Sequence, residues 1–249
     1  MQEKHNEIEY QRWDIHQRIQ HFFLLISFTL LMMTGLPLKF PDSTISKVLM
    51  YLFGGVESAG KLHRIAASVL ILVSIYHVIY LVYKIIKRKN VWAMLPRWKD
   101  VQDLLGMLKY LFGIRPDRPR FDRYTFTEKF EYWAVIWGSA VMIITGFIMW
   151  FPVFTTRILP GIFMPLSKVI HSYEALLAAL AIVIWHFYHA HLSPDVFPMS
   201  RIWLTGRITE KELIHKHPLE FERMKRSNNS PGINTNEANR NEFPSSESQ

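Results

Sequence analysis

Apolar residues are gathered into four long runs along the chain, and polar or charged segments separate these runs. The runs cover residues 21–40, 62–86, 130–151 and 170–191. Each is close to the ~20 residues that an α-helix needs to cross the hydrocarbon core of a bilayer. The apolar residues are not spread at the amphipathic spacing of a soluble surface helix. The pattern predicts an all-α integral membrane fold, a bundle of four transmembrane helices.

The segments outside the runs predict the remaining domain organisation. Residues 1–20 form a polar cytoplasmic flank, 192–226 form a cytoplasmic tail with a short helix, and 227–249 are predicted to be disordered. Within the connection 87–129, apolar residues recur at i, i+3 and i+4, which is typical of an amphipathic helix in the membrane interface. These positions are Val101, Leu104, Leu105, Leu108, Leu111 and Phe112. The first apolar run is too long for a signal-peptide core, so we expect it to be a retained anchor.

Two of the runs end in a shared pattern, LLMMTGLPLKFP and VMIITGFIMWFP. The Thr-Gly pairs, Thr34-Gly35 and Thr145-Gly146, are offset by 111 residues. Each pattern is followed by a histidine-bearing run, which predicts a tandem repeat of a two-helix unit. Glycine in a membrane helix permits the close approach of another backbone or of a flat macrocycle. Two glycines at matching positions favour the second role, so Gly35 and Gly146 are candidate cofactor contacts.

The charge distribution predicts the orientation in the membrane. The 249 residues have a formal net charge of +8, with 29 Lys and Arg. With four spans, 23 of these lie on the side of both termini and 6 on the other side. Both termini should therefore be on the cytoplasmic face of the inner membrane, and the positive charge is explained without nucleic-acid binding. The sequence has no cysteine, which excludes disulfides, thiolate-bound clusters and covalently attached haem within it.

Four histidines lie inside the apolar runs in two matching pairs. His63 and His77 are fourteen residues apart in the second run, and His171 and His186 are fifteen apart in the fourth. At 3.6 residues per turn each pair projects from nearly one helix face. Polar groups in lipid are costly unless partnered. We expect His63 to pair with His171 near the outer face, and His77 with His186 near the cytoplasm.

The pairs favour two haem b groups, each with two axial imidazoles, over zinc, which takes three or four clustered ligands. Alternatives remain at the inner site. His21 could replace His77 as the partner of His186, and with His189 or His191 it could hold a third haem; otherwise His189 and His191 are interfacial residues. Two arginines are candidates to neutralise haem propionates: Arg18 and Arg64.

The sequence resembles the cytochrome-b (gamma) subunits of membrane formate dehydrogenases, and the related subunits of nickel–iron hydrogenases and thiosulfate reductases. The resemblance rests on RIQHFFLLISFTLLMMTGL, LHRIAA, YTFTEKFEYWAVIWGSAVMIITGFIMWFP and IHSYEALLAALAIVIWHFYHAHL, and on the tail GRITEKELIHKHPLEFER. It implies that His63 and His171 bind an outer haem, and that His21 and His186 bind an inner one. His77 departs from the family pattern.

The resemblance also implies a quinone site at the start of the third span, where Thr127 and Glu128 are candidates. We expect a dihaem cytochrome b that transfers electrons between a periplasmic partner and the membrane quinone or menaquinone pool, as one subunit of an oxidoreductase complex. The partner would be a multihaem cytochrome c or the iron–sulfur subunit of a dehydrogenase. The alternative is a haem-free membrane anchor or transporter that uses the histidines for packing or proton relay.

Overall fold

The structure is a computed structural model that describes residues 8–87, 91–194 and 196–229. The chain forms two compact units. The larger unit comprises Glu9–Leu95 and Thr127–Ile208, and the smaller one comprises Pro96–Phe126 with 209–229. The elements are β1 (Glu9–Gln11), α1 (Ile15–Lys39), α2 (Thr44–Leu52), α3 (Val56–Ile86), α4 (Trp98–Leu111), α5 (Phe126–Trp150), α6 (Pro152–Ile158), α7 (Phe163–Leu180), α8 (Ile202–Thr205), β2 (Arg207–Thr209), α9 (Glu210–Lys216) and α10 (Pro218–Asn229).

Four helices in the described residues are long and apolar enough to cross a membrane. They are α1, α3, α5 and a fourth span, Phe163–Leu192, that begins as α7. This confirms the predicted all-α fold with four transmembrane helices. The first span packs against α2, α3 and the fourth span. The helices extend beyond the apolar runs, because helical hydrogen bonding continues into polar residues at the membrane boundary.

The spans bury small and polar side chains and expose large apolar ones. Close approach through small residues is typical of helices that pack in lipid, and the outward apolar surface suits a hydrocarbon solvent. Buried residues on the spans include Ser27, Thr34, Ala59, Ala66, Thr145 and Ser167, and the larger Leu70 and Tyr80 are also buried. Exposed ones include Ile65, Leu72, Trp137 and Ile144. The burial pattern therefore agrees with membrane insertion.

Asp14 fixes the start of the first span and joins it to the second. Its carboxylate accepts hydrogen bonds from the Gln17 backbone N–H (3.0 Å) and the Tyr80 hydroxyl (2.6 Å), and it lies 3.1 Å from Lys84 Nζ. Burial by itself raises the pKa of Asp14, but these hydrogen bonds and the Lys84 charge outweigh it and hold the pKa below its ordinary value. One carboxylate thus caps α1 and holds the end of α3.

The fourth span changes its winding halfway along. It is α-helical to Leu180 and continues as π-helical turns at Ala181–His186 and Tyr188–Leu192. Such turns are rare and are often found at functional sites. They alter the direction in which His186 projects relative to His171. Because the winding is not 3.6 residues per turn throughout, sequence spacing alone does not determine whether His171 and His186 project from one face of the helix.

The segments that flank the spans meet through a short two-stranded sheet of β1 and β2. The backbone N–H groups of Arg12 and Trp13 both donate to the Gly206 carbonyl, at 2.8 and 3.0 Å. Gly206 has φ +76°, and a Cβ there would lie 2.5 Å from the Trp13 carbonyl oxygen. Only glycine fits this turn. The turn positions Trp203, on α8, beside the first span.

The smaller unit is held by ion pairs between the segment before α5 and α10. Arg123 lies 2.6 Å from Glu220, Arg223 lies 2.6 Å from Asp122, and Arg120 pairs with Glu222. Helix α4 carries the predicted amphipathic pattern. Helix α10 extends to Asn229, and the disordered segment from residue 227 onward stays a prediction. The prediction for 230–249 lies outside the described residues.

Candidate functional site

The rings of His63 and His171 face one another between the second and fourth spans. Their centres are 6.4 Å apart, and their planes are inclined by 59°. His63 Nδ1 lies 2.9 Å from the Thr34 hydroxyl, and His171 Nδ1 lies 2.9 Å from the Thr145 hydroxyl. The threonines of the two repeated Thr-Gly motifs therefore each contact one of these two histidines.

The threonine bonds determine which ring nitrogen is free. The Thr34 hydroxyl donates its hydrogen to the Leu30 carbonyl (2.6 Å), and the Thr145 hydroxyl donates to the Val141 carbonyl (2.7 Å). A hydroxyl has one hydrogen, so each of these oxygens accepts from the histidine N–H. With the proton on Nδ1, Nε2 of each ring carries a lone pair that can bind a metal.

The two glycines lie against the imidazoles. A Cβ at Gly35 would be 3.1 Å from His63 Cε1, and one at Gly146 would be 3.5 Å from His171 Cε1. Their nearest neighbours are thus the rings of the candidate ligands. The glycines make room for the histidines beside the first and third spans.

A second pair of rings lies between the first and fourth spans. The centres of the His21 and His186 rings are 6.3 Å apart, with planes inclined by 46°. His186 Nδ1 lies 2.9 Å from Glu131 Oε2 on the third span. Trp13 and Trp203 flank His21, with ring centres at 5.3 and 5.8 Å. This pair is assembled from three spans and two flanking tryptophans.

His77 has protein partners at both ring nitrogens. Nδ1 lies 2.8 Å from Gln20 Oε1, and Nε2 lies 2.9 Å from the Tyr132 hydroxyl. The ring that faces His186 is that of His21. The geometry therefore favours His21 over His77 as the partner of His186, and it gives His77 a role in joining the first three spans.

Three buried nitrogens in the described part of the chain have no hydrogen-bond partner: Arg18 Nε, Gln20 Nε2 and His21 Nδ1. All lie in two turns of the first span, next to the His21–His186 pair. Buried donors without partners are costly. An oxygen-bearing group beside this pair, such as a haem propionate, would satisfy Arg18 Nε.

The remaining sequence candidates are spread over the unit. Arg64, next to His63, is exposed; Glu128 lies 3.9 Å from Arg12, at the start of the third span beside Thr127. His189 Nδ1 bonds the Trp185 carbonyl at 2.8 Å, and the His191 ring stacks near Phe187 at 4.6 Å. These contacts fit the interfacial role that was the alternative for His189 and His191.

The ring separations fit metals held by two imidazoles each. A metal–imidazole bond is about 2.0–2.1 Å, and the ring centre lies roughly 1.1 Å beyond the nitrogen, so rings on opposite sides of one metal are roughly 6.3 Å apart. The observed values are 6.4 and 6.3 Å. Zinc takes three or four ligands, and no group of three or more His, Asp or Glu side chains in the described residues could hold a metal. The donor sets suit haem.

Sequence reasoning missed the acceptors that orient the ligands. Thr34 and Thr145 were visible in the repeat, but only their glycine neighbours were assigned a role. Glu131 stands 55 positions before His186, so no local spacing connects them. A carboxylate at the start of an apolar run was the available signal.

Comparison with known proteins identifies the family of the chain. The family model for prokaryotic cytochrome b561 matches residues 12–198. The formate dehydrogenase cytochrome b556(fdo) subunit of Escherichia coli K12 is 24% identical over 203 residues, covering 80% of this chain and 81% of the relative. The formate dehydrogenase cytochrome b556 subunit of Haemophilus influenzae is 23% identical over 197 residues, covering 78% and 76%. The chain therefore belongs to the prokaryotic cytochrome b561 family, and it is a multi-pass inner-membrane cytochrome b with a role in electron transfer.

Proposed function

We propose that the chain is a dihaem cytochrome b subunit that transfers electrons between a periplasmic redox partner and the membrane quinone pool. The observation that carries the proposal is the pair of facing imidazoles at each of two levels of the fourth span. His171 and His186 are fifteen residues apart, which is at most ~22 Å, the length of a wholly α-helical segment. Two redox centres at that separation would connect the two faces of a membrane. Haem b, when bound, supplies one-electron chemistry at each level.

The chain's own groups hold and orient the ligands. The threonine hydroxyls keep the Nδ1 protons of His63 and His171, so that their Nε2 atoms are available. Glu131 does the same for His186. The outward apolar surface of the spans keeps water away from both pairs and gives them a low-dielectric setting.

Charged side chains near each pair suit the propionates of a bound haem. Arg18 lies at the His21–His186 pair with its Nε buried and unpartnered. Arg64 is adjacent to His63, and Lys39 Nζ lies 3.4 Å from Ser172 Oγ, next to His171. Arginine and lysine form strong hydrogen bonds to carboxylates. Lys39 joins the two arginines as a propionate candidate.

The relatives support the proposed setting. They are cytochrome subunits of formate dehydrogenases, so we place this chain in a dehydrogenase complex, with an iron–sulfur subunit or a multihaem cytochrome c as the periplasmic partner. The excess of Lys and Arg beside the termini supports an orientation with His21 and His186 near the cytoplasm. Quinone would then bind close to Thr127 and Glu128, and α4 would lie on the lipid surface.

The test is the haem content of purified variants. We expect two haems per wild-type chain. Substitution of His63 or His171 by Ala should remove one haem, and substitution of His21 or His186 should remove the other. His77→Ala is the matched control, an intramembrane histidine whose loss should leave both haems.

The result also separates the alternatives. A purified wild-type protein without the absorption bands of b-type haem would support the haem-free anchor or transporter. Loss of one haem from His77→Ala, with none lost from His21→Ala, would restore His77 as the partner of His186. Three haems in the wild type would require a further ligand, with His189 or His191 the first to be replaced.

A further inference from the structure

We propose that Glu131 is a positioning residue that lowers the midpoint potential of the haem bound by His186. The inference rests on the proposed function, because it requires a haem at the His21–His186 pair. Glu131 lies on the third span, outside the pair itself. Its Oε2 is 2.9 Å from His186 Nδ1, with 24% of its side chain exposed.

The two pairs differ in the groups that accept from their Nδ1 atoms. His63 and His171 both bond neutral hydroxyls. His186 bonds a carboxylate, whereas His21 Nδ1 has no partner among the described residues. In that part of the chain, a side-chain carboxylate therefore bonds Nδ1 of one of the four rings, that of His186.

A carboxylate is a stronger acceptor than a hydroxyl. The N–H bond of the imidazole is polarised further toward it, so that Nε2 becomes a better donor to a metal. Increased donation favours the ferric over the ferrous state, and hydrogen bonding beyond the axial ligand is an established means of setting a haem potential. The negative charge of Glu131, in a low-dielectric region, acts in the same direction. Both effects lower the midpoint potential of this haem alone.

The test is a potentiometric titration of the purified, haem-loaded protein, with Glu131→Gln compared with wild type. Glutamine keeps an acceptor oxygen of similar shape but removes the charge. We expect the equilibrium between the two oxidation states of one haem to shift about tenfold toward the reduced state, which is ~59 mV upward for a one-electron couple. The other haem should keep its potential. Glu131→Asp, which retains the charge, should remain closer to wild type than Glu131→Gln.

Thr145→Val is the matched control, because it removes the acceptor of His171 in the other pair. It should alter the potential of the other haem and leave that of the His186 haem unchanged. The electron paramagnetic resonance spectrum of the oxidised protein gives a second readout, in which Glu131→Gln should change the signal of one low-spin haem.

Each outcome decides the proposal. Unchanged potentials in Glu131→Gln, or equal shifts of both haems, would overturn it. Loss of one haem from both Glu131→Gln and Glu131→Asp would show a purely structural role and contradict the proposal. A wild type with fewer than two haems would instead refute the dihaem function.

Discussion

Gly35 and Gly146 offer a matched test of how closely the first and third spans approach the histidines of one pair. A Cβ at Gly35 would lie 3.1 Å from His63 Cε1, whereas at Gly146 the distance to His171 Cε1 is 3.5 Å. Carbon atoms pack best at about 3.5–4.0 Å. Gly146→Ala therefore fits, and Gly35→Ala must displace His63 by a few tenths of an ångström.

The expected cost follows from these distances. Overpacking of this kind destabilises a protein by ~1–3 kcal/mol, whereas the higher helix propensity of Ala stabilises the helix by up to ~1 kcal/mol relative to Gly. A net penalty of about 1 kcal/mol remains for Gly35→Ala. Where this penalty acts by displacing His63 from its position as a haem ligand, it corresponds to about a fivefold weaker haem affinity. Gly146→Ala should have no such penalty.

The assay is the transfer of haem from each purified variant to an excess of a haem-binding apoprotein, followed by absorbance. Both substitutions affect the same haem, so the other haem is an internal reference. Faster loss from Gly35→Ala than from Gly146→Ala is the expected result. Equal rates, or a larger effect from Gly146→Ala, would show that the close approach of Gly35 to His63 does not govern this haem.

Three further predictions concern the framework around the pairs. Asp14→Ala should destabilise the protein by ~1 kcal/mol through loss of the helix cap. The pKa of Asp14 in the folded protein lies below its ordinary value of 3.8, so the stabilisation by Asp14 is present above pH 3.8 and is lost as the pH falls through the folded pKa. The acid side of a thermal-stability profile should therefore flatten in this variant. Gly206→Ala should cost ~1–3 kcal/mol in thermal unfolding, because φ is positive and the Cβ would meet the Trp13 carbonyl; a variant as stable as wild type would contradict the turn. Tyr132→Phe should lower stability by ~1–3 kcal/mol by leaving His77 Nε2 unpaired, while the haem content stays at the wild-type level.

The sequence was sufficient for the membrane fold, because the need to bury apolar surface in lipid acts on each run separately. It located helix ends less well. The second span begins at Val56 and the fourth at Phe163, each several residues before its apolar run, since the run marks the hydrocarbon and not the end of helical hydrogen bonding.

The partners of the histidines could not be predicted from sequence spacing alone. Spacing along a helix indicates which residues share a face, but it does not indicate which neighbour that face meets. Spacing from His63 makes His77 a candidate metal ligand, with His21 as the alternative, and the structure brings Gln20 and Tyr132 to the ring nitrogens of His77. The π-helical turn Ala181–His186 also changes the direction in which His186 projects, and the amino-acid composition does not predict this turn.

The fourth span provides one histidine to each pair, and the partners come from two different helices. The fourth span is therefore a structural element that both histidine pairs share. Sliding or turning this helix would disturb both histidine pairs. A movement of α1 would also reach both, through His21 and through the contact of Thr34 with His63, whereas α3 contributes a histidine to one pair.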